Sequence, residues 1–376
     1  MGVRASLSIT HRCNLACQYC YSGRSDKPDM SVATARKAVD FLLGLPRSAG
    51  VLKFGFFGGE PLLRLDLMRE VTPYVRETAA RVERPVDLSI TTNGLLLDGP
   101  TLDFLEREDF SVCLSLDGPR DVHDVNRRYP DGRGSFGEVR EGLCLAVGRL
   151  RHVQVNAVYG PDTVGRLADT VRFIVGLGAH GTHLSPNITA QWTDDSLTEL
   201  WGAFEAIADF YIECYRAGQA LALNVIDSKV IALLKHGLSS EDRCRMGECE
   251  WGVAPSGNLY PCERLVGEDD DATLCLGNVH TGLDLGRQSA LVSRRGNHSV
   301  PCTTCNLRPY CHNTCGCTNS RMTGRTDLAS VALCASERAS IYAARRALLA
   351  LQDDSLFLDH FMGYLRAGCD ASPAVR

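Results

Sequence analysis

The chain lacks what would take it to a membrane or a nucleic acid. None of its apolar runs approaches the length of a bilayer span. No charged and apolar leader opens it, and Met1 lies only twelve residues before the first cysteine, Cys13. It has no surplus of positive charge: 40 Lys and Arg against 45 Asp and Glu leave a net charge of −5. That balance argues against a nucleic-acid partner and against a basic membrane-binding surface. Hydrophobic residues still make up 44% of the 376, enough for one large domain and a smaller one.

Cysteine is in excess, at 17 residues. An odd count in a long chain without a leader points to metal ligation rather than disulfide pairing, and to a reduced, cytoplasmic setting. Three of these thiols fall in Cys13-Asn14-Leu15-Ala16-Cys17-Gln18-Tyr19-Cys20, directly after a strand-like run at residues 7–10. Thiolates suit iron–sulfur clusters, and a cubane cluster takes four ligands. Three leave one iron open, and an open position marks a catalytic metal rather than a structural one. A zinc knuckle, built from separated pairs of cysteines, fits this triplet poorly.

Cys13, Cys17 and Cys20, with Tyr19, resemble the signature of the radical S-adenosylmethionine (SAM) enzymes. The resemblance implies a 4Fe-4S cluster on the three cysteines, with SAM chelating the fourth iron through its amino and carboxylate groups. One electron, from a flavodoxin or ferredoxin, would then cleave SAM to methionine and a 5′-deoxyadenosyl radical that takes hydrogen from the substrate.

Strand-like and helix-like segments alternate from residue 5 to about residue 217. Strands are expected at 51–57, 86–91, 111–115, 153–158 and 180–184, and helices at 31–43, 63–80, 101–107, 136–147, 164–176 and 197–216. About six βα units mean an α/β fold with a parallel sheet. Six rather than eight suggest an open barrel, and the resemblance implies the same partial (β/α)6 TIM-like barrel. Functional residues in such folds sit at the C-terminal ends of strands. Gly58, Gly59 and Glu60 follow the second strand. The glycines let backbone approach a ligand, and Glu60 can accept an amine; they match the family motif at the SAM amino group. Asn93 closes the third strand. Ser115 and Asp117 close the fourth, in a segment whose serine often meets the SAM ribose in the family. Arg127 is the candidate for the SAM carboxylate, because a guanidinium grips a carboxylate through two hydrogen bonds; Arg128 next door is the alternative. Asn156 and Leu184 are expected to border ribose and adenine. His152, His180 and His183 read as structural, and Cys113, Cys144 and Cys214 as core residues.

After about residue 223 helical periodicity fades and cysteines crowd. Cys244 and Cys249 come first, then a hairpin-like 257–262 ending in Cys262, then Cys302, Cys305, Cys311 and Cys315, and finally Cys334. Eight thiols fit two four-cysteine clusters or two zinc sites. The array resembles the SPASM extension of radical SAM enzymes that modify peptides and proteins. That implies a barrel domain over 1–222, a small cysteine-rich α+β SPASM domain over 223–340 and a helical tail over 341–376. It puts a nearer auxiliary cluster on Cys244, Cys249, Cys262 and Cys315 and a farther one on Cys302, Cys305, Cys311 and Cys334. Three 4Fe-4S clusters and SAM are thus the expected cofactors. Cys317 is a spare for Cys315, while Cys275 and Cys369 read as free thiols. Glu263, directly after Cys262, stands where an Asp of the sulfatase maturases is proposed to take a proton from the substrate.

The expected function is a maturase that abstracts hydrogen from a ribosomally made precursor peptide and closes an oxidative crosslink: thioether, carbon–carbon or ether. The alternatives are an anaerobic sulfatase maturase making formylglycine, a small-molecule dehydrogenase, or a non-catalytic iron–sulfur carrier or zinc scaffold. No leader-binding domain precedes the cysteine loop, so leader recognition would fall to a separate protein or to the second half.

Overall fold

The computed structural model describes residues 2–23, 26–45, 50–294, 300–312 and 315–367. In chain order the first half runs β1 (Val3–Thr10), α1 (Val32–Leu43), β2 (Leu52–Gly58), α2 (Leu65–Arg81), β3 (Val86–Thr92), α3 (Gly99–Arg107), β4 (Ser111–Ser115), α4 (Arg120–Asn126), α5 (Phe136–Val147), β5 (Val153–Tyr159), α6 (Leu167–Gly176), β6 (Gly181–Pro186) and α7 (Asp194–Arg216). The second half continues α8 (Asn224–Leu234), β7 (Glu250–Val253), β8 (Asn258–Tyr260), β9 (Gly277–Asn278), β10 (Gly282–Leu283), α9 (Leu285–Ser293), α10 (Val300–Thr303), α11 (Gly316–Thr323), α12 (Val331–Ala350) and α13 (Ser355–Ala367). The fold is mixed α/β with parallel strands and crossover helices, consistent with a partial barrel.

The chain divides into two compact units. One comprises residues 1–114, 127–151 and 245–295. In it β1 pairs in parallel with β2, β2 with β3, and β3 with β4. The strands alternate: Leu52, Phe54 and Phe56 of β2 are buried, whereas Lys53, Gly55 and Phe57 are half-buried. Leu7, Ile9, Leu88, Ile90, Val39, Met68, Val71 and Leu105 are buried as well, all at most 2% exposed. Each such side chain contributes roughly 1.5–3 kcal/mol. The helices start where local chemistry satisfies their first N–H groups: Ser31 caps α1 through Thr34, and Asp98 caps α3 through Thr101. The opposite strand face carries small and polar residues. Pairing register lines up Ser6, Gly55, Ser89 and Ser111 in one row, and Ser8 with Phe57 and Thr91 with Cys113 in the next.

The second half is joined to this sheet by main chain. β7 lies parallel to β1, pairing Arg4 with Glu250 through Leu7 with Val253, and β8 returns antiparallel to it. The expected hairpin at 257–262 is therefore present, and its first strand is a sheet neighbour of the strand that leads into the cysteine loop.

The other unit comprises 115–126, 152–244 and 296–376. β5 and β6 pair in parallel, and α12 packs on α7 and α8. Ala339, Ala343, Ala344 and Ala347 line the buried face of α12 and allow that close approach. Two expectations are corrected here. Helical periodicity does not fade after residue 223: α8 follows at once, buried through Val225, Ile226, Val230 and Ala232. The helix leading into the expected tail at 341–376 starts already at Val331, because Ser330 caps it through Leu333 and carries Cys334 into its first turn. A third correction concerns the other unit's Cys144, which is exposed rather than in the core. The buried stripe of α5 runs through Phe136, Val139, Leu143 and Ala146, and Cys144 falls off it.

Asp227 is fully buried, accepting from Tyr211 Oη at 2.7 Å and from the Leu223 N–H at 2.7 Å. Burial pushes its carboxyl up to about 7, with the two donors opposing. The protonated form is thus favoured by folding, so stability is fullest below the unfolded carboxylate range and falls as pH rises through about 7. We expect stability to fall between about pH 5.5 and pH 7, and Asp227→Asn to remove up to about 2 kcal/mol of that fall. Urea titrations of the two proteins across this range check it; parallel slopes would contradict it.

Candidate active site

The loop after β1 carries Cys13, Cys17 and Cys20, and β2 closes on it by main chain. Gly59 N–H donates to Thr10 O at 2.8 Å, and Glu60 N–H to Arg12 O at 2.9 Å. Only glycine fits there. Gly58 has φ +133°, and a Cβ on Gly59 would stand 2.2 Å from the Arg12 carbonyl oxygen. Outside the loop, Asp29 accepts from Thr10 Oγ1 at 2.5 Å, from Arg64 Nη1 at 3.1 Å and from Arg12.

Glu60 is 0% exposed. Its Oε1 accepts from Leu62 N–H at 3.0 Å and Thr92 Oγ1 at 2.8 Å, and its Oε2 from Asn93 N–H at 2.8 Å. Burial pushes the carboxyl up to about 7 against these three donors. Its carboxylate therefore already joins the ends of β2 and β3, with acceptor capacity left on Oε2. Asn93 donates through Nδ2 to Asn14 Oδ1 at 2.7 Å, 3.8 Å from Cys13 Sγ. Arg127 is 7% exposed, with its guanidinium 5.3 Å over the Tyr19 ring and Nη1 3.9 Å from Cys17 Sγ. Arg128 meets the loop through main chain, its carbonyl accepting from Ala16 N–H at 2.6 Å.

One unit thus brings together Cys13, Cys17, Cys20, Tyr19, Gly58, Gly59, Glu60, Asn93 and Arg127. Ser115, Asp117, Asn156 and Leu184 belong to the other. There Asp117 Oδ1 accepts from Val158 N–H at 3.0 Å, Asn156 O accepts from Leu116 N–H at 3.0 Å, and Leu184 N–H donates to Asn224 Oδ1 at 2.8 Å.

The donor chemistry of the cysteine loop suits a cluster, although no three His, Cys, Asp or Glu among the described residues are gathered at metal-binding distance. Burial pushes the Cys13 thiol up to about 12; the Leu15 N–H, donating at 3.4 Å, opposes, while Glu60, Cys17 and Cys20 add to the rise. Cys17 and Cys20 both lie within electrostatic reach of Cys13, with N–H donors aimed at the Cys13 sulfur and a guanidinium beside Cys17. That set suits metal-bound thiolates, whose protons a cation displaces.

Glu263 lies on the turn after Cys262, where Ser6 Oγ donates to its Oε2 at 2.7 Å. Gly252 of β7 permits this approach, since a Cβ there would stand 2.8 Å from Cys262 O. Tyr21 stacks on Phe57 with centroids 6.3 Å apart. Burial raises the Tyr21 phenol, Arg264 opposes, and Glu263 and Cys262 add to the rise. Burial likewise pushes the Cys113 thiol up to about 12, with Glu263 adding and a Thr91 hydrogen bond opposing. Cys113 therefore belongs to the half-buried face that Glu263 approaches, not to the helix-facing core. The sequence carried that signal in the alternation of Ser111, Cys113 and Ser115 with Val112 and Leu114. Nothing in the sequence pointed to Ser6, Tyr21 or Arg264.

Of the later cysteines, Cys249 and Cys262 belong to one unit and Cys244 and Cys315 to the other. Cys302, Cys305, Cys311 and Cys334 share a unit, and Cys334 lies within electrostatic reach of Cys302 and Cys305. Cys315 Sγ is 3.2 Å from Cys317 Sγ. Cys275 Sγ meets Gly277 O at 3.2 Å, and Cys369 lies outside the described residues. His180 serves as a main-chain acceptor, its Nδ1 taking the Val153 N–H at 3.0 Å. No described helix is long and apolar enough to cross a membrane.

Residues 7–174 match the family described as the Radical SAM superfamily. A probable GTP 3′,8-cyclase of Methanopyrus kandleri is 31% identical over 58% of this chain and 71% of its own length. A cysteine-type anaerobic sulfatase-maturating enzyme of Clostridium novyi is 23% identical over 81% of this chain and 84% of its own. An uncharacterised protein of Methanocaldococcus jannaschii is 28% identical over 46% of this chain, which spans only 58% of that relative. Among solved structures, native anSMEcpe with bound AdoMet and Cp18Cys peptide superposes with TM-score 0.77 at 19% identity, covering 94% of this chain and all of that one. Streptococcus suis SuiB bound to precursor peptide SuiA gives TM-score 0.60 at 15% identity, covering 88% and 76%. The chain belongs to the radical SAM superfamily. It is an enzyme of that class, with a 4Fe-4S cluster and SAM as cofactors.

Proposed function

We propose that this enzyme is a maturase acting on a side chain of a precursor peptide and closing an oxidative crosslink. When bound, the cluster and SAM would supply the one-electron chemistry that takes a hydrogen atom from an unreactive carbon. The chain's own residues do the rest. Arg127 would hold the SAM carboxylate, and Asn93 and the Gly58-Gly59-Glu60 backbone its amino end. Ser115, Asp117, Asn156 and Leu184 would border ribose and adenine. Glu263 carries the reading: a carboxylate directly after Cys262, oriented by Ser6, is placed to take the proton that leaves as the substrate radical loses its second electron. Cys244, Cys249, Cys262 and Cys315 would hold one auxiliary cluster and Cys302, Cys305, Cys311 and Cys334 another, whose iron would supply an acceptor for that electron.

A second reading, formylglycine formation, draws support from the anaerobic sulfatase-maturating relative, which aligns over most of both chains. The two readings need the same proton acceptor and differ in product. A synthetic Cys/Ser-x-Pro-x-Arg peptide yields an aldehyde under the second; an adjacent precursor peptide yields loss of two hydrogens without an aldehyde under the first. Glu263→Gln keeps SAM cleavage and lowers product formation by about 10²-fold or more. Unchanged product formation by mass spectrometry would remove Glu263 from the reaction.

A further inference from the structure

Lysine is almost never fully buried unless paired. The Lys229 side chain, on α8, is 2% exposed, and its pairing is specific. Nζ lies 2.6 Å from Glu337 Oε2, 2.6 Å from His312 Nδ1 and 3.5 Å from Tyr310 O. The same Glu337 Oε2 accepts the His312 backbone N–H at 2.6 Å. Tyr310 and His312 flank Cys311, and Glu337 stands one helical turn beyond Cys334 on α12. One ammonium therefore ties together α8, the loop carrying Cys311 and the helix carrying Cys334. Arg243 reinforces the loop, donating to Cys311 O at 3.1 Å and Arg308 O at 3.2 Å.

We infer that Lys229 and Glu337 are positioning residues for the Cys302, Cys305, Cys311 and Cys334 set, bracing its ligands from outside and setting the local charge. The inference rests on the auxiliary-cluster reading above. Neither side chain is a ligand. Their roles are to fix where two of the four thiolates stand and to place one positive and one negative charge beside them. Lys229, His312 and Glu337 also line a cavity of about 300 Å³ with Ser336, His183 and Asn224, so a substituted side chain there has space.

The two charges make the inference testable in sign. Removing Lys229 leaves the Glu337 carboxylate beside the thiolates and makes adding an electron harder; removing the Glu337 charge leaves the ammonium and makes it easier. The experiment compares anaerobically reconstituted wild type, Lys229→Met, Glu337→Gln and Cys334→Ser by iron content, circular dichroism and electron-paramagnetic-resonance redox titration. The signal lost in Cys334→Ser identifies the cluster concerned. We expect its midpoint potential to fall in Lys229→Met and rise in Glu337→Gln, with iron in Lys229→Met lower by less than the about four per chain of a whole cluster and SAM cleavage retained. A mere structural brace would not give shifts of opposite sign. Wild-type iron and potential in both variants would overturn the inference. If Lys229→Met fails to fold, the near-isosteric Glu337→Gln decides alone, by a raised or an unchanged potential. Iron unchanged in Cys334→Ser would instead sink the auxiliary-cluster reading, whatever Lys229 does.

Discussion

Replacing Cys13, Cys17 and Cys20 together by alanine takes about four irons per chain away and abolishes SAM cleavage, while the rest of the protein stays folded. The three thiols sit on one loop, and their loss removes no packed core side chain, since Cys13 and Cys17 are only half-buried and Cys20 is exposed. The numbers before and after also count the other clusters. About twelve irons falling to about eight means one SAM cluster and two auxiliary ones. About eight falling to about four means that one of the two later four-cysteine sets holds no iron. A wild-type protein that carries tightly held zinc and little iron would refute the assignment of the loop.

Gly59→Ala is expected to do nearly as much through a single methyl group. The added carbon would stand 2.2 Å from Arg12 O and 2.7 Å from the Arg12 carbonyl carbon. Both backbones are pinned, by Gly59 N–H on Thr10 O and Glu60 N–H on Arg12 O, so neither can retreat without releasing the cysteine loop. We expect SAM affinity to fall at least about tenfold, or about 1.4 kcal/mol, with iron at the first cluster reduced. Gly99→Ala is the control, because a Cβ there meets nothing within 4 Å. Isothermal calorimetry with SAM on both reconstituted variants checks this, and equal affinities would contradict it.

The cysteine loop, the Gly-Gly-Glu turn and the first six βα units were legible because each rests on short-range chemistry. Periodicity placed β4 and α5 to the residue, and Ser31 announced the start of α1. What stayed hidden depends on contacts distant in sequence. Ser6 and Glu263 are 257 residues apart, and Lys229 and Glu337 are 108 apart. Glu60 was legible as a candidate, but not that its carboxylate already holds Thr92 and Asn93. The start of α12 was missed because Ser, Glu and Arg around Cys334 read as a loop until packing on α7 and α8 is known. Cys113 was misplaced because the apolar Val112 and Leu114 outweighed the Ser111 and Ser115 that share its face.

The pairing of β7 with β1 bears on how such a protein can be built and divided. A strand from residue 250 onward covers the flank of the strand that delivers the cysteine loop, and the Arg4 N–H reaches Cys249 O at 2.7 Å. Cutting the chain after its sixth βα unit would uncover main-chain donors and acceptors along Arg4 to Leu7, a sticky edge next to the catalytic loop. The cysteine-rich segment thus also serves as an edge protector. Any shortened or circularly rearranged form must supply another strand there if it is to stay in solution.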